Sequence, residues 1–195
     1  MILLVDLSYR PGSLSFDEFV TPVEKIVQQG GHVTRIRHFT DLTGQDLASA
    51  DGVILCGTAL ADCGYLDRVD RFAWIPSFPR PLLGICAGMQ VTAKAFGGQV
   101  SPGLGIGLAP QEVVVPDPLL AGRDRFGAYE LHSLSVLPPP SFRVLVTSPS
   151  GAEVIRHPGR AVYGVMFHPE VRNEWLIHRF LALCGRTDAL MGERG

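Results

Sequence analysis

A cysteine framed by glycines is the strongest chemical signal in this sequence. The segment Gly84-Ile85-Cys86-Ala87-Gly88 follows a short apolar run and precedes a helical pattern. It has the G-x-nucleophile-x-G form of a nucleophile elbow, a sharp strand-to-helix turn that exposes a reactive side chain. The glycines let the strand and the helix approach closely, and the helix N-terminus stabilises a thiolate. The sequence therefore predicts a nucleophile at Cys86, with the backbone N–H of Ala87 aimed at an oxyanion.

A histidine and a carboxylate follow an apolar run late in the chain, in the order His168-Pro169-Glu170. Residues i and i+2 share a face of an extended segment, so a cis or kinked path at Pro169 would bring Glu170 beside the His168 ring. Glu170 would then orient the ring while the other ring nitrogen reaches the thiol. Alone, this triplet also fits a loop histidine beside a solvated carboxylate. With the elbow upstream, the sequence favours a triad of Cys86, His168 and Glu170.

The hydrophobic pattern predicts the scaffold that must position these residues. Continuous apolar runs are typical of strands buried on both faces of a parallel sheet. We expect an α/β fold with an open, mostly parallel twisted sheet flanked by helices and some antiparallel strands in the second half. Ser15 and Glu18 predict a capping box at the start of the first helix. The expected strands are 2–5, 32–37, 51–55, 82–85, 111–115, 129–136, 143–147, 153–156 and 161–167, and the expected helices are 15–29, 66–74, 87–96 and 174–183.

Composition and charge set the class of protein. The chain has 195 residues, of which 46% are hydrophobic and 18% charged, which predicts one globular domain at 1–185 and a short tail at 186–195. A net charge of -2 and a pI near 6.3 provide no basic field for nucleic acid or an anionic membrane. The sequence has no signal-peptide pattern and no apolar run long enough to span a bilayer. We therefore expect a cytoplasmic protein with no nucleic-acid or membrane partner.

The cysteines predict neither a disulfide framework nor a metal site. The four cysteines are scattered and show no C-x-x-C spacing, so we expect no metal and no cofactor. No G-x-x-x-x-G-K-[ST] nucleotide loop is present either. Cys56 and Cys184 fit small buried hydrophobic residues, although pairing of Cys56 with Cys63 stays open.

The two motifs together resemble the class I glutamine amidotransferases. The resemblance rests on residues 84–90 and 164–170, matches the family in order and separation, and covers nearly the whole chain. It implies a flavodoxin-like fold and the hydrolysis of L-glutamine through a γ-glutamyl thioester, with ammonia passed to a partner synthase. In this resemblance Cys86, His168 and Glu170 occupy the catalytic positions.

The resemblance also implies further site residues. In the family, the glutamine after the elbow contacts the substrate, and backbone groups of a segment similar to 129–134 hold its amino and carboxylate groups. From the residues alone, Gln90 also fits a solvent-facing helix position, and 132–133 an ordinary loop. The substrate-binding candidates are Gly57, Gln90, Ser133 and Leu134, and the oxyanion-hole candidates are Thr58 and Ala87.

Some positions depart from the family pattern. Thr58 stands where many members carry glycine, and a β-branched residue resists positive φ, so we expect the loop to rearrange before it donates its N–H. Met166 replaces a common glutamine. Val171 resembles the GMP synthase branch, residues 129–134 anthranilate synthase component II, and residues 88–90 imidazole glycerol phosphate synthase. These features leave the acceptor substrate and the synthase partner open.

Other functions fit the same residues. A cysteine hydrolase of γ-glutamyl compounds or another small amide needs the triad but no partner. A non-catalytic regulatory or interaction module is favoured by Thr58, yet such a module has no need for all three triad residues. A redox sensor at Cys86 predicts peroxide reactivity without glutaminase turnover.

Overall fold

The computed structural model describes residues 1–185, and the predicted tail at 186–195 lies outside the described residues. The strands are β1 (Ile2–Asp6), β2 (Thr34–His38), β3 (Gly52–Leu55), β4 (Leu82–Ile85), β5 (Gln99–Val113), β6 (Arg125–Leu137), β7 (Arg143–Ser148), β8 (Gly151–Arg156) and β9 (Val162–Val165). The α-helices are α1 (Thr21–Gln29), α2 (Gly44–Ser49), α3 (Ala87–Ala95), α4 (Pro169–Arg172) and α5 (Glu174–Cys184). Within this part of the chain the strands form one sheet in the order β2-β1-β3-β4-β9-β8-β7-β5-β6.

The first half of the sheet is parallel. Strands β2, β1, β3, β4 and β9 pair in that order with the same direction, and the last four are buried along their length. Helices α1 and α5 pack on one face, and α3 packs on the other. This arrangement confirms the α/β class that the continuous apolar runs predict.

The second half of the sheet is antiparallel and contains a long hairpin. Strand β8 runs antiparallel to β9, and β7, β5 and β6 continue that pattern. The register between β5 and β6 shifts between Pro102 and Gly105, which marks a bulge. The sequence predicts only the end of β5, because the glycines and prolines before residue 111 are typical of turns. One face of β5 is exposed and apolar at Leu104, Ile106 and Leu108.

The helices differ from the prediction in several places. Ser15 makes no side-chain cap, and a π-helical turn at Phe16–Val20 precedes α1, so the predicted capping box is wrong. The predicted helix at 66–74 is a 3-10 helix at Gly64–Phe72 with a kink at Arg68. A capping box occurs instead at α2, where Thr43 and Asp46 exchange hydrogen bonds. None of the helices in residues 1–185 has the length and hydropathy that a bilayer crossing requires.

Candidate active site

Cys86 lies at a strained turn between β4 and α3. Its backbone has φ 49° and ψ -103°, a conformation that side chains rarely adopt, and its N–H donates to the carbonyl oxygen of Val165 at 2.7 Å. A Cβ at Gly88 would lie 2.8 Å from Cβ of Leu55, and one at Gly84 would lie 2.7 Å from the backbone nitrogen of Met89. Because larger residues would force strand and helix apart, the two glycines make this turn sterically possible.

His168 and Glu170 form a buried pair beyond the end of β9. Nδ1 of His168 lies 2.7 Å from Oε1 of Glu170, and both side chains are buried. The described residues contain no cis peptide bond, so Glu170 does not reach the ring through a cis path at Pro169. Instead α4 begins at Pro169, and its first turn folds Glu170 back against the ring. The N–H of His168 donates to the carbonyl oxygen of Tyr129 at 2.9 Å, which anchors the turn to β6.

The other ring nitrogen of His168 faces the space beside Cys86. Nε2 is buried and has no hydrogen-bond partner in the described structure. A Cβ at Gly57 would lie 2.7 Å from Cε1 of His168 and 3.6 Å from Cβ of Cys86, so Gly57 leaves the room that brings the two side chains together. Burial alone would lower the pKa of His168, but the neighbouring Glu170 and Cys86 raise it well above its usual value. The ring is therefore placed to take up a proton from the thiol.

Most of the predicted binding residues line one small cavity with Cys86. This cavity has a volume of ≈ 10 Å³, which is about the least that holds a single water molecule. Gln90 is buried, so the alternative interpretation of it as a solvent-facing residue is wrong. The Tyr65 hydroxyl donates to Oε1 of Gln90 at 2.6 Å, and Nε2 of Gln90 donates to the carbonyl oxygen of Leu134 at 3.4 Å. The predicted residues in this lining are Thr58, Cys86, Ala87, Gln90, Ser133 and Leu134.

The loop that carries Thr58 is held closed over this cavity. The Thr58 hydroxyl donates to Oδ2 of Asp62 at 3.0 Å, and the N–H of Tyr9 donates to the same oxygen at 2.6 Å. The Ser133 hydroxyl donates to the carbonyl oxygen of Leu60 at 3.2 Å, which ties the loop to β6. The described non-glycine residues with positive φ are Cys86 and Ala121, so Thr58 has an ordinary backbone conformation in this closed state.

Sequence reasoning missed a second group of ionisable side chains close to this cavity. Glu130, His132 and Glu153 are each no more than 2% exposed. Burial alone would raise the pKa of Glu130, but the neighbouring His132 ring and hydrogen bonds from Ser150 and Gln111 lower it to about 2. Burial, followed by the charge of Glu130, raises the pKa of Glu153 to about 7. The i, i+2 spacing of Glu130 and His132 in the sequence indicates that they share one face of a strand. Glu153 lies on β8, and only the folded sheet brings it close to them.

Comparisons with known proteins identify the family of this chain. The family model described as glutamine amidotransferase class-I matches residues 20–184. A glutamine-hydrolyzing GMP synthase subunit from Methanothrix thermoacetophila is 39% identical over 147 residues, covering 70% of this chain and 78% of that protein. The corresponding subunit from Pyrococcus abyssi is 38% identical over 160 residues, covering 77% of this chain and 84% of that protein.

Solved structures show the same fold. A Thermoplasma acidophilum protein assigned to the same type of GMP synthase subunit superposes with a TM-score of 0.86 at 23% identity, covering 98% of this chain and 97% of its own. A glutamine amidotransferase from Thermotoga maritima gives a TM-score of 0.70 at 19% identity, covering 99% of this chain and 84% of its own. At identities of 23% and 19% the structural similarity shows the fold alone. The family assignment rests on the family model and the sequence relatives.

Proposed function

Because this chain belongs to the class I glutamine amidotransferase family, we propose that it is the glutaminase subunit of a GMP synthase, with Cys86, His168 and Glu170 as its triad. It hydrolyses L-glutamine and delivers ammonia to a partner synthase. The observation that carries the proposed triad is the buried His168–Glu170 pair, whose Nε2 atom faces the strained elbow at Cys86. The name of the relatives from Methanothrix and Pyrococcus supports GMP synthase as the branch.

The first half of the proposed reaction forms a thioester. Sγ of Cys86 attacks the side-chain amide carbon of glutamine, and the thiol proton passes to Nε2 of His168. The backbone N–H groups of Ala87 and Thr58 stabilise the oxyanion of the tetrahedral intermediate. His168 then gives the proton to the amide nitrogen, the carbon–nitrogen bond breaks, and ammonia leaves.

The second half hydrolyses the thioester. His168 takes a proton from a water molecule, whose oxygen attacks the thioester carbon, and the carbon–sulfur bond breaks. The proton returns to the Cys86 sulfur, and glutamate leaves. Throughout both halves the Glu170 carboxylate accepts the Nδ1–H hydrogen bond, which fixes the ring and stabilises the imidazolium.

The pocket must open before glutamine binds. A cavity of ≈ 10 Å³ holds no amino acid, so the loop from Gly57 to Gly64 has to move away from Gln90 and β6. Once opened, Gln90 and the backbone of Ser133 and Leu134 form the wall that binds the amino and carboxylate groups of the substrate. Binding of the synthase partner would supply the free energy for this opening, because delivery of ammonia requires the two proteins to be in contact.

The test is ammonia release from L-glutamine by the purified chain, with and without a GMP synthetase subunit. We expect turnover that the synthetase subunit stimulates, and glutamine-dependent formation of GMP by the pair. Cys86→Ala should abolish release, whereas Cys63→Ala, which removes another thiol of the same cavity lining, should retain most of it.

Two results would overturn different parts of the proposal. No ammonia release in any combination, together with no labelling of Cys86 by a glutamine-like electrophile, contradicts the catalytic assignment. Release that the GMP synthetase subunit neither stimulates nor uses for GMP formation contradicts the assignment to GMP synthase.

A further inference from the structure

The three buried residues beside the substrate wall form a candidate metal site. Glu130 and His132 of β6 and Glu153 of β8 each offer one ligand atom, and these atoms lie within 4.8 Å of one another. Strands β7 and β5 separate β8 from β6 in the sheet, so the group links strands that are not neighbours. We propose that Glu130, His132 and Glu153 bind a divalent transition-metal ion, most simply Zn²⁺, which fixes the substrate-binding strand β6 in place.

Unpaired polar atoms point into this group. Nε2 of His132 and Oε2 of Glu153 are buried and have no hydrogen-bond partner in the described structure. Buried polar atoms without a partner destabilise a fold unless a ligand satisfies them. Oε2 of Glu130 lies 3.8 Å from Nε2 of His132, too far for a hydrogen bond. Zinc bonds of about 2.0–2.2 Å require each donor to move inward by less than about 1 Å.

The neighbouring hydrogen bonds orient all three candidate ligands. Nδ1 of His132 lies 3.0 Å from the carbonyl oxygen of Gly103, which accepts the Nδ1–H and leaves the Nε2 lone pair for a metal. Such second partners fix the tautomer and the ring direction of metal-binding histidines. The carboxylates accept hydrogen bonds from Gln111 (2.8 Å to Glu130), Ser150 (2.8 Å to Glu130) and Ser148 (3.1 Å to Glu153).

Space, charge and access also fit a metal ion. A Cβ at position 105 would collide with Oε2 of Glu130 and Nε2 of His132, so Gly105 makes the approach of these two ligands possible. Two carboxylates and a neutral imidazole balance a 2+ ion, and this mixed oxygen and nitrogen set suits zinc and its neighbours. A surface cavity of ≈ 820 Å³ is lined by Gln111 and Ser148, which bond to the cluster and mark an entry path.

The ion would position the substrate wall and take no part in the chemistry. His132 lies between Leu131, whose carbonyl oxygen is 3.7 Å from Sγ of Cys86, and Ser133, which bonds to the Thr58 loop. Fixing His132 to Glu153 therefore fixes the strand that contacts both the nucleophile and the closing loop.

The experiment uses the full chain, without an affinity tag, carrying Cys63→Ala and Cys86→Ala, because a thiolate is itself a good zinc ligand and would compete with the proposed site. We expect this protein to bind one Zn²⁺ by titration calorimetry and to give a Co²⁺ spectrum with visible bands but no thiolate charge-transfer band. Glu153→Gln in the same background should weaken Zn²⁺ binding at least about 10-fold. The matched control is Glu112→Gln, which alters an exposed carboxylate on β5 and should leave binding unchanged.

The proposal is overturned if the double-cysteine variant binds neither Zn²⁺ nor Co²⁺ stoichiometrically, or if Glu153→Gln and Glu112→Gln bind equally well. Should Glu153→Gln fail to fold, the Co²⁺ spectrum of its parent decides, because imidazole and carboxylate ligation has a signature of its own. Since the parent protein lacks Cys86, the outcome is independent of glutaminase activity.

Discussion

The residues of the proposed sites lie at different positions along the strands in the parallel and antiparallel halves of the sheet. In the parallel half these groups follow the strands: Gly57 lies beyond β3, Cys86 beyond β4 and His168 beyond β9. In the antiparallel half they lie within the strands, as Gln111 does in β5 and His132 in β6. Loops at the carboxyl ends of parallel strands accommodate a strained backbone such as that of Cys86, whereas side chains within a ladder are fixed by pairing on both sides.

Under the proposed function, this difference gives the two halves distinct tasks. Groups at the ends of the parallel strands would face the reacting atoms, and groups in the hairpin would hold the substrate wall. Substitutions beyond the parallel strands should therefore lower kcat, whereas substitutions within the hairpin should change KM or stability with little effect on kcat.

Apart from Cys86→Ala, the largest effect is expected at Glu170. Glu170→Gln keeps the size of the side chain but removes the charge that orients and stabilises the His168 ring, so kcat should fall about 10²–10⁴-fold. Steady-state ammonia release checks this against Glu174→Gln, an exposed acid in the next helix. A Glu170→Gln enzyme within about threefold of the wild type would show that the pair does not act in catalysis.

A smaller loss is expected at Gly57. In Gly57→Ala the new methyl group presses on His168, and displacement of a reacting group by about 1 Å costs up to about 10²-fold in rate. The matched variant is Gly44→Ala, at a position with no atom within 4 Å of the new Cβ. Equal kcat values for the two variants would mean that the ring has room to move without loss.

A substitution in the β5–β6 hairpin should change glutamine binding more than it changes kcat. Ser133→Ala removes the hydrogen bond from β6 to Leu60, whose net worth is about 0.5–1.5 kcal/mol. We expect KM for glutamine to change by up to about tenfold while kcat changes by less than about twofold, since no reacting atom is displaced. Ser101→Ala, at an exposed position of β5, serves as the control for a serine lost from the same hairpin. A large fall in kcat for Ser133→Ala would contradict the assignment of catalysis to the parallel half of the sheet and of substrate binding to the hairpin.

The smallest effect belongs to α2, in the parallel half but away from the site. Hydrogen bonding from Thr43 lowers the pKa of Asp46, with a further contribution from Arg37. A lowered pKa in the folded state stabilises the fold above the ordinary aspartate range, and this contribution is lost as pH falls through the folded value. Asp46→Asn should therefore reduce the free energy of unfolding by about 1 kcal/mol at pH 7 and by less below pH 4. Denaturant unfolding at both pH values tests this, and an unchanged difference would contradict the ionic origin.

The strand-to-helix elbow at Cys86, part of the proposed triad, was predictable because local pattern and chemistry coincide there. A continuous apolar run, a glycine-framed cysteine and a helical pattern specify β4, the elbow and α3 without knowledge of the rest of the fold. The start of β5 was not predictable, since its glycines and prolines are poor strand formers and pairing with β6 holds them extended. The cluster of Glu130, His132 and Glu153 was not predictable either, because β7 and β5 lie between the strands that carry its members.

The small cavity beside Cys86 has a consequence for the affinity for glutamine. If glutamine binds only the open loop, the apparent dissociation constant equals the intrinsic constant divided by the fraction of molecules that are open. Each tenfold increase in that fraction tightens apparent binding tenfold until the open form predominates, with no new contact to the substrate. The hydrogen bonds from Tyr9 to Asp62 and from Ser133 to Leu60 hold the loop against the rest of the chain, and they would thereby set the glutamine concentration at which the isolated chain begins to work.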